Sequence, residues 1–167
     1  MKNVHSCLLI VPLVLGLALP VPSAGQSKQA SAAELTKRAE LVAVGRVAAT
    51  KSEWNETRSS IRTRVTLSVD EYVKGSAGKS LDVFVPGGEV DGVGELYSHT
   101  PRFSKDEDVV VFLEKDKKNR YRVSGGDQGK YAVKTDKKSG KRIVSEYWPL
   151  EDFKGQIKRS MRAQGQQ

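Results

Sequence analysis

A chain of 167 residues, 38% hydrophobic and 29% charged, has room for one domain of roughly 100–150 residues with its own core, and none for a second. Lys and Arg number 28 against 20 Asp and Glu, a net charge of +8, which permits attraction to anionic polymers or membrane headgroups but names no partner, because solubility alone accounts for such an excess. A single cysteine, Cys7, and two histidines, His5 and His99, leave little material for thiol or imidazole chemistry.

Residues 1–24 read as a secretory signal peptide. MKNVHS carries Lys2, CLLIVPLVLGLAL (7–19) is apolar and uncharged, and PVPSAG ends in small residues, so cleavage is expected between Ser23 and Gly25. A membrane anchor is the rival reading, but this apolar run, interrupted by Pro12 and Gly16, falls short of the roughly 20 residues a spanning helix needs. Processing removes Cys7, and with it disulfides, thiol nucleophiles and cysteine metal sites. It also leaves a charge of about +7 and an exported, periplasmic or secreted protein with no stable membrane span.

After a flexible leader over 25–30, Ser31 and Glu34 have the S-x-x-E spacing that caps a helix start, and a helix is expected over about 32–40. LVAVGRVAA (41–49) is β-branched and apolar, and Gly45 within it marks a bulge or sharp bend. Ile61, Thr63, Val65, Leu67 and Val69 alternate with Arg62, Arg64, Thr66, Ser68 and Asp70, the period of a half-buried strand. Leu81, Val83 and Val85 repeat that period. DVVVFLE (108–114) is apolar on both sides, as a strand covered twice must be. NRYRVSG (119–125), GKYAV (129–133) and RIVSEY (142–147) complete the strands, with KDKKN and TDKKSGK as lysine-rich hairpin tips. Finally Leu150, Phe153, Ile157 and Met161 recur at helical spacing opposite Lys154, Lys158, Arg159 and Arg162, an amphipathic closing helix over 150–163 that Gly155 weakens.

Four stretches invite a chemical reading. KGSAGKS (74–80) imitates a phosphate-binding loop, but Gly75 and Gly78 are too close together and a strand pattern, LDVFV, follows where a helix N-terminus is required; it reads as a turn. GGEVDGVGELYSHTPRF (87–103) joins two strands without periodicity of its own, a length uncommon unless a loop binds something or is disordered. Gly87, Gly88, Gly92 and Gly94 give it conformational freedom, while Tyr97, Pro101 and Phe103 are placed to pin it. Its Glu89, Asp91, Glu95 and His99 offer three carboxylates and one imidazole to a hard cation or zinc, with spacing that matches no metal motif. Arg62 and Arg64 on one strand and Arg120 and Arg122 on another are expected to align on an outer face near Tyr72, Trp54 or Tyr131, as in single-strand nucleic-acid binders, or to pair with Asp70, Glu71 or Asp82 as a solvated face. Asn55-Glu56-Thr57 is a glycosylation sequon.

The order of elements carries a resemblance. ELTKRAELVAVGRV leading to IRTRVTLSVDEYVKG, then a strand, a loop, and FSKDEDVVVFLEKDKKNRYRVSG, resembles the netrin-like module of tissue inhibitors of metalloproteinases, a five-stranded OB barrel. The likeness covers about 95 residues by pattern. The chain also resembles a group of exported bacterial proteins of unassigned activity through Pro86–Gly88, Pro101–Phe103, Val109–Glu114 and Gln128–Lys130. The inhibitors act through an N-terminal cysteine whose backbone chelates the protease zinc. The processed chain has no such cysteine, so none of their inhibitory residues transfers.

These readings combine into a mainly β domain. A small five- to six-stranded OB-like (netrin-like) barrel is expected over 31–148, entered by a short helix and closed by an amphipathic helix and tail over 149–167. The expected role is a non-enzymatic exported binding module, without cofactor or metal. Its loop residues Gly87, Gly88, Glu89, Asp91, Gly92, Gly94, Tyr97, His99 and Phe103 contact a protein partner, for which a secreted protease is the candidate, since OB-type barrels bind through loops at one rim. The alternative is a polyanion binder using Arg62, Arg64, Arg120 and Arg122 with the lysine-rich tips. A metal-dependent hydrolase around Glu89, Asp91 and His99 is the weaker third reading.

Overall fold

Helix α1 (Ala32–Arg38) begins where the sequence places it. Ser31 Oγ accepts the Glu34 amide at 3.2 Å while Glu34 Oε2 accepts the Ser31 amide at 2.8 Å, a reciprocal cap that satisfies two otherwise orphaned donors. The computed structural model describes residues 30–145 and 147–165; the expected signal peptide and all of the leader but Ala30 lie outside them. No helix among the described residues is long and apolar enough to cross a membrane.

The strands are β1 (Leu41–Trp54), β2 (Ile61–Lys74), β3 (Ser80–Pro86), β4 (Gly88–Val90), β5 (Val93–Glu95), β6 (Asp108–Lys115), β7 (Tyr121–Val123), β8 (Lys130–Thr135), β9 (Arg142–Val144) and β10 (Trp148–Pro149), and α2 (Leu150–Ala163) closes the chain. Eight of them form one sheet, ordered β1-β2-β3-β7-β6-β8-β9-β10, and an additional β1–β6 pairing turns the first five into a ring. All pairings in it are antiparallel except β3 with β7, which meet at one parallel pair, Val83 and Tyr121.

That seam ends for a backbone reason. Gly87 N donates to Ile61 O and Val69 N to Lys79 O, so by alternation residues 81, 83 and 85 exchange hydrogen bonds with β2, and 82, 84 and 86 face β7. The next rung, Val85 with Val123, would need an amide hydrogen from residue 86, which is proline. The strands therefore part beyond Val83.

β6 divides the core. Val109, Val111 and Leu113 face the ring interior with Leu41, Ala43, Val47, Val65, Leu67, Leu81, Val83, Val85 and Val123. Val110 and Phe112 face the helices, with Leu35, Val42, Val44, Val73, Val133, Leu150, Phe153 and Ile157. Successive side chains on a strand point to opposite faces, so a fully apolar run is what two cores demand of the strand between them. The closing helix thus shares the core of the sheet. Gly45 sits at a register irregularity of β1, where a Cβ would lie 2.3 Å from Ser68 O.

Several sequence-based expectations change. β1 continues to Trp54, because its polar second half is paired residue by residue with β2. The segment 87–103 is not free of regular structure: β4 and β5 form a hairpin within it. β9 ends at Val144, since Ser145 turns the chain with φ 57°, and β7 covers only 121–123. Lys154, placed by periodicity on the solvent face, is 8% exposed.

Candidate functional site

The loop 87–103 is built onto the sheet at three places. At its start Gly87 N donates to Ile61 O at 2.9 Å and Gly87 O accepts from Thr63 Oγ1 at 2.8 Å. Gly88 has φ 135° and a Cβ there would lie 2.3 Å from Ser52 Oγ and 2.4 Å from Thr63 Oγ1, so only glycine lets the chain lie this close. In the middle, Asp91 (φ 52°) and Gly92 (φ 79°) form the two-residue turn between Val90 and Val93. Asp-Gly with both φ positive is the favoured hairpin turn, a local signal that reading the stretch as structureless overlooks. Glu95 returns to the sheet, its Oε2 accepting the Ile61 amide at 2.9 Å and the Tyr97 hydroxyl at 3.1 Å. The hydrogen bond to that carboxylate holds the Tyr97 phenol above its ordinary range.

At its far end His99 O accepts the Asp127 amide at 2.9 Å, from the 3-10 turn Gly126–Gly129. Gly126 lies so close that a Cβ would be 2.4 Å from His99 O. Pro101 is buried, and the half-buried Phe103 packs onto the ring core with Lys130 Nζ 5.5 Å from its centroid. Between these anchors Leu96 is 86% exposed, Tyr97 50% and Val93 47%. Pro86 and Tyr97 are shared by three adjoining depressions of about 450, 320 and 500 Å³, so the Tyr97 ring stands where three grooves meet.

The acidic residues of this loop are not gathered. Glu89 is exposed on β4, Asp91 lies in the turn, Glu95 is held by Ile61 and Tyr97, and His99 Nδ1 is 3.8 Å from Asp127 Oδ2. No group of three or more His, Cys, Asp or Glu among the described residues is placed to hold a metal ion.

Arg62, Arg120 and Arg122 line one depression with Phe84, which Tyr72, Trp54 and Tyr131 do not line, and Arg64 stands opposite Phe84 in the β2–β3 register. The guanidinium carbons of Arg62 and Arg120 lie 5.3 and 5.2 Å from the Phe84 centroid, within cation–π range. Tyr72 instead donates its hydroxyl to Gly78 O, and Tyr131 belongs to the Phe112–Phe153 cluster. The carboxylate partners also differ from Asp70, Glu71 and Asp82. Arg62 Nε and Arg64 Nη2 reach Glu53 at 3.1 and 2.9 Å, Arg62 also meets Glu56 at 3.5 Å, Arg120 holds Asp116 at 2.8 Å, and Arg122 holds Glu114 at 2.6 Å. Partial burial pushes the Glu53 carboxyl up, but the hydrogen bonds from Arg62 and Arg64 outweigh it and the net direction is down.

The lysine-rich tips do not extend this face together. Tip 115–120 follows the end of β6 where Lys115 pairs with Tyr121, whereas tip 136–141 follows β8, whose Val133 pairs with Asp108 at the other end of β6. The sequon asparagine is occupied as well: Asn55 Nδ2 donates to Ser59 Oγ at 2.9 Å and Ser60 Oγ at 2.8 Å, and its Oδ1 accepts the Ser59 amide. No protein-family model matches the chain, and no curated protein matches it in sequence.

Proposed function

We propose that this chain is an exported, non-enzymatic binding module on an OB-like, netrin-like barrel, and that loop 87–103 is the surface that takes a protein partner, with a secreted protease as the candidate class. The ring order β1-β2-β3-β7-β6 returning to β1, with its one parallel contact, supports the OB-like reading. The observation that carries the function is the contrast between a loop fixed by Gly88, Glu95 and His99 and the bare Leu96 and Tyr97 it displays. Apolar and aromatic side chains held rigid before contact lose little entropy on binding, and such residues are the anchors that dominate interfaces.

The test is capture from native extract on the immobilised chain, with Leu96→Asp and Tyr97→Ala as the variants. Point changes are the right probe, since deleting 89–100 would also remove the Glu95 and His99 anchors. Each variant is expected to keep its circular dichroism and to lose at least about tenfold in partner affinity, the cost of removing an interface anchor. Partners retained equally by both variants would refute the assignment.

A further inference from the structure

The depression of about 500 Å³ lies where the β3–β7 seam opens, between Pro86 and Tyr97 on one side and Gly125 and Gly126 on the other, and two arginines, Arg38 and Arg122, line it. Arg38 is the last residue of α1 and has no carboxylate partner among the described residues. Arg122 meets Glu114 through Nη2, and a guanidinium has five N–H donors, so donors are left over. Glu114 is itself doubly engaged, accepting from Arg122 and, at 2.8 Å, from Ser124 Oγ.

The other wall is bare backbone. Gly125 and Gly126, with φ of 73° and 64°, present no side chain, and the His99–Asp127 hydrogen bond fixes them against the loop. The result is a rigid notch with one uncompensated cation, continuous with the apolar surface at Pro86 and Tyr97. A single carboxylate balances it. A phosphate polymer would bring several charges past Glu114 and Asp127.

We propose that this notch receives the acidic side chain of an extended partner segment, with its carboxylate between Arg38 and Arg122 and its neighbouring residues along Pro86 and Tyr97. The proposal rests on reading loop 87–103 as a protein-binding surface and names the chemistry that surface selects.

The probes are acetyl-Pro-Leu-Glu-Leu-Pro-Gly-amide and its Gln counterpart, titrated into the ¹⁵N-labelled chain lacking residues 1–24, which keeps every described residue. The Glu peptide is expected to shift the amides of Ser98, Gly125 and Gly126 and to bind about tenfold more tightly than the Gln peptide, the difference a charge-assisted hydrogen bond makes. Arg38→Gln is expected to bring the Glu peptide down to the Gln level without changing the latter. Equal binding of the two peptides, indifference to Arg38→Gln, shifts confined to 137–141, or no shift at millimolar peptide would each overturn the notch. Leu96→Asp separates the two claims: unchanged partner capture overturns the loop reading and leaves an Arg38-dependent Glu-peptide response standing, whereas lost capture without that response overturns the notch alone.

Discussion

Lys154 Nζ on α2 lies 2.5 Å from Glu71 Oε2 on β2 and 2.9 Å from Glu151 Oε1 on its own helix. Burial disfavours the ammonium, but hydrogen bonds to Glu151 and Glu71 outweigh it and hold the Lys154 pKa above its usual value. A lysine raised in the folded state contributes stability below its unfolded value, about pH 10.4, and loses that contribution as pH rises through the folded value. Lys154→Met is therefore expected to flatten the alkaline end of the stability profile, and at neutral pH to cost about 1 kcal/mol, because the carboxylates it leaves behind are open to water, Glu71 40% and Glu151 79% exposed, and Lys158 stays 3.7 Å from Glu71. Glu71→Gln leaves the ammonium with Glu151 alone and is expected to cost about 1–2 kcal/mol. Urea unfolding across pH 7–11 measures both effects; a parent and a Lys154→Met profile of the same alkaline slope would count against the argument.

Acid acts on a different set of contacts. Arg46 Nε donates to Asp108 Oδ1 at 2.7 Å, a hydrogen bond that draws the Asp108 carboxyl below its usual value. Asp116 is partly desolvated, which opposes ionisation, yet its Oδ1 accepts the amides of Lys118 and Arg120 and its Oδ2 the Arg120 side chain, so its direction is also down. Depressed carboxyls contribute stability above their unfolded value of about pH 3.9, and that contribution disappears as pH falls through the folded values. Stability is expected to fall steeply below about pH 4. Asp116→Asn should reduce that slope and, at neutral pH, cost about 1–3 kcal/mol by weakening the turn and the Arg120 contact. Acid titration followed by tryptophan fluorescence reads the slope.

What the sequence discloses and what it conceals divide by range. The Ser31–Glu34 cap, the alternation of β2, the doubly apolar β6 and the Leu150–Phe153–Ile157 stripe are local patterns, and each reappears in the structure. The Phe84 cluster is not local. Arg64 faces Phe84, and Glu53 faces Arg62, only because of the registers of β3 and β1 on β2, which no spacing within either strand reveals. Lys154 leaves the solvent face for the same reason: the helix pattern sets its angular position, but its partner Glu71 comes from β2. In the candidate loop the Asp91-Gly92 turn was legible from its dipeptide, whereas the Glu95–Ile61 and His99–Asp127 anchors were not.

The matched arginines bear on polyanion binding. A guanidinium already holding a carboxylate must give it up, or bring its negative charge along, to neutralise a phosphate. Arg62→Ala and Arg120→Ala are therefore expected to leave heparin retention nearly unchanged, while a Lys137→Ala, Lys138→Ala, Lys141→Ala chain elutes at lower salt, because those three lysines are exposed and no carboxylate among the described residues pairs with them. Retention that collapses with the arginine variants would restore the Phe84 face as an anion site.

The position of the loop depends on one absent methyl group. Gly88 lies against Ser52 and Thr63, whose hydroxyls are 3.0 Å apart and whose Thr63 member also holds Gly87 O. Adding a Cβ at a φ of 135°, against two oxygens closer than 2.5 Å, forces either the hairpin off the sheet or the Ser52–Thr63 pair apart, and both routes release the Gly87 contact. Gly88→Ala is expected to cost about 1–3 kcal/mol, the range for backbone strain at a position of this kind, and to raise hydrogen exchange at 87–97 more than in β6. Gly94→Ala is the control, because nothing lies within 4 Å of a Cβ there and its φ is not in the positive region. If display by a fixed loop is what confers affinity, Gly88→Ala weakens partner capture with Leu96 and Tyr97 both intact, and Gly94→Ala does not. Equal capture by the two alanine chains would mean that rigidity of the loop is irrelevant to binding.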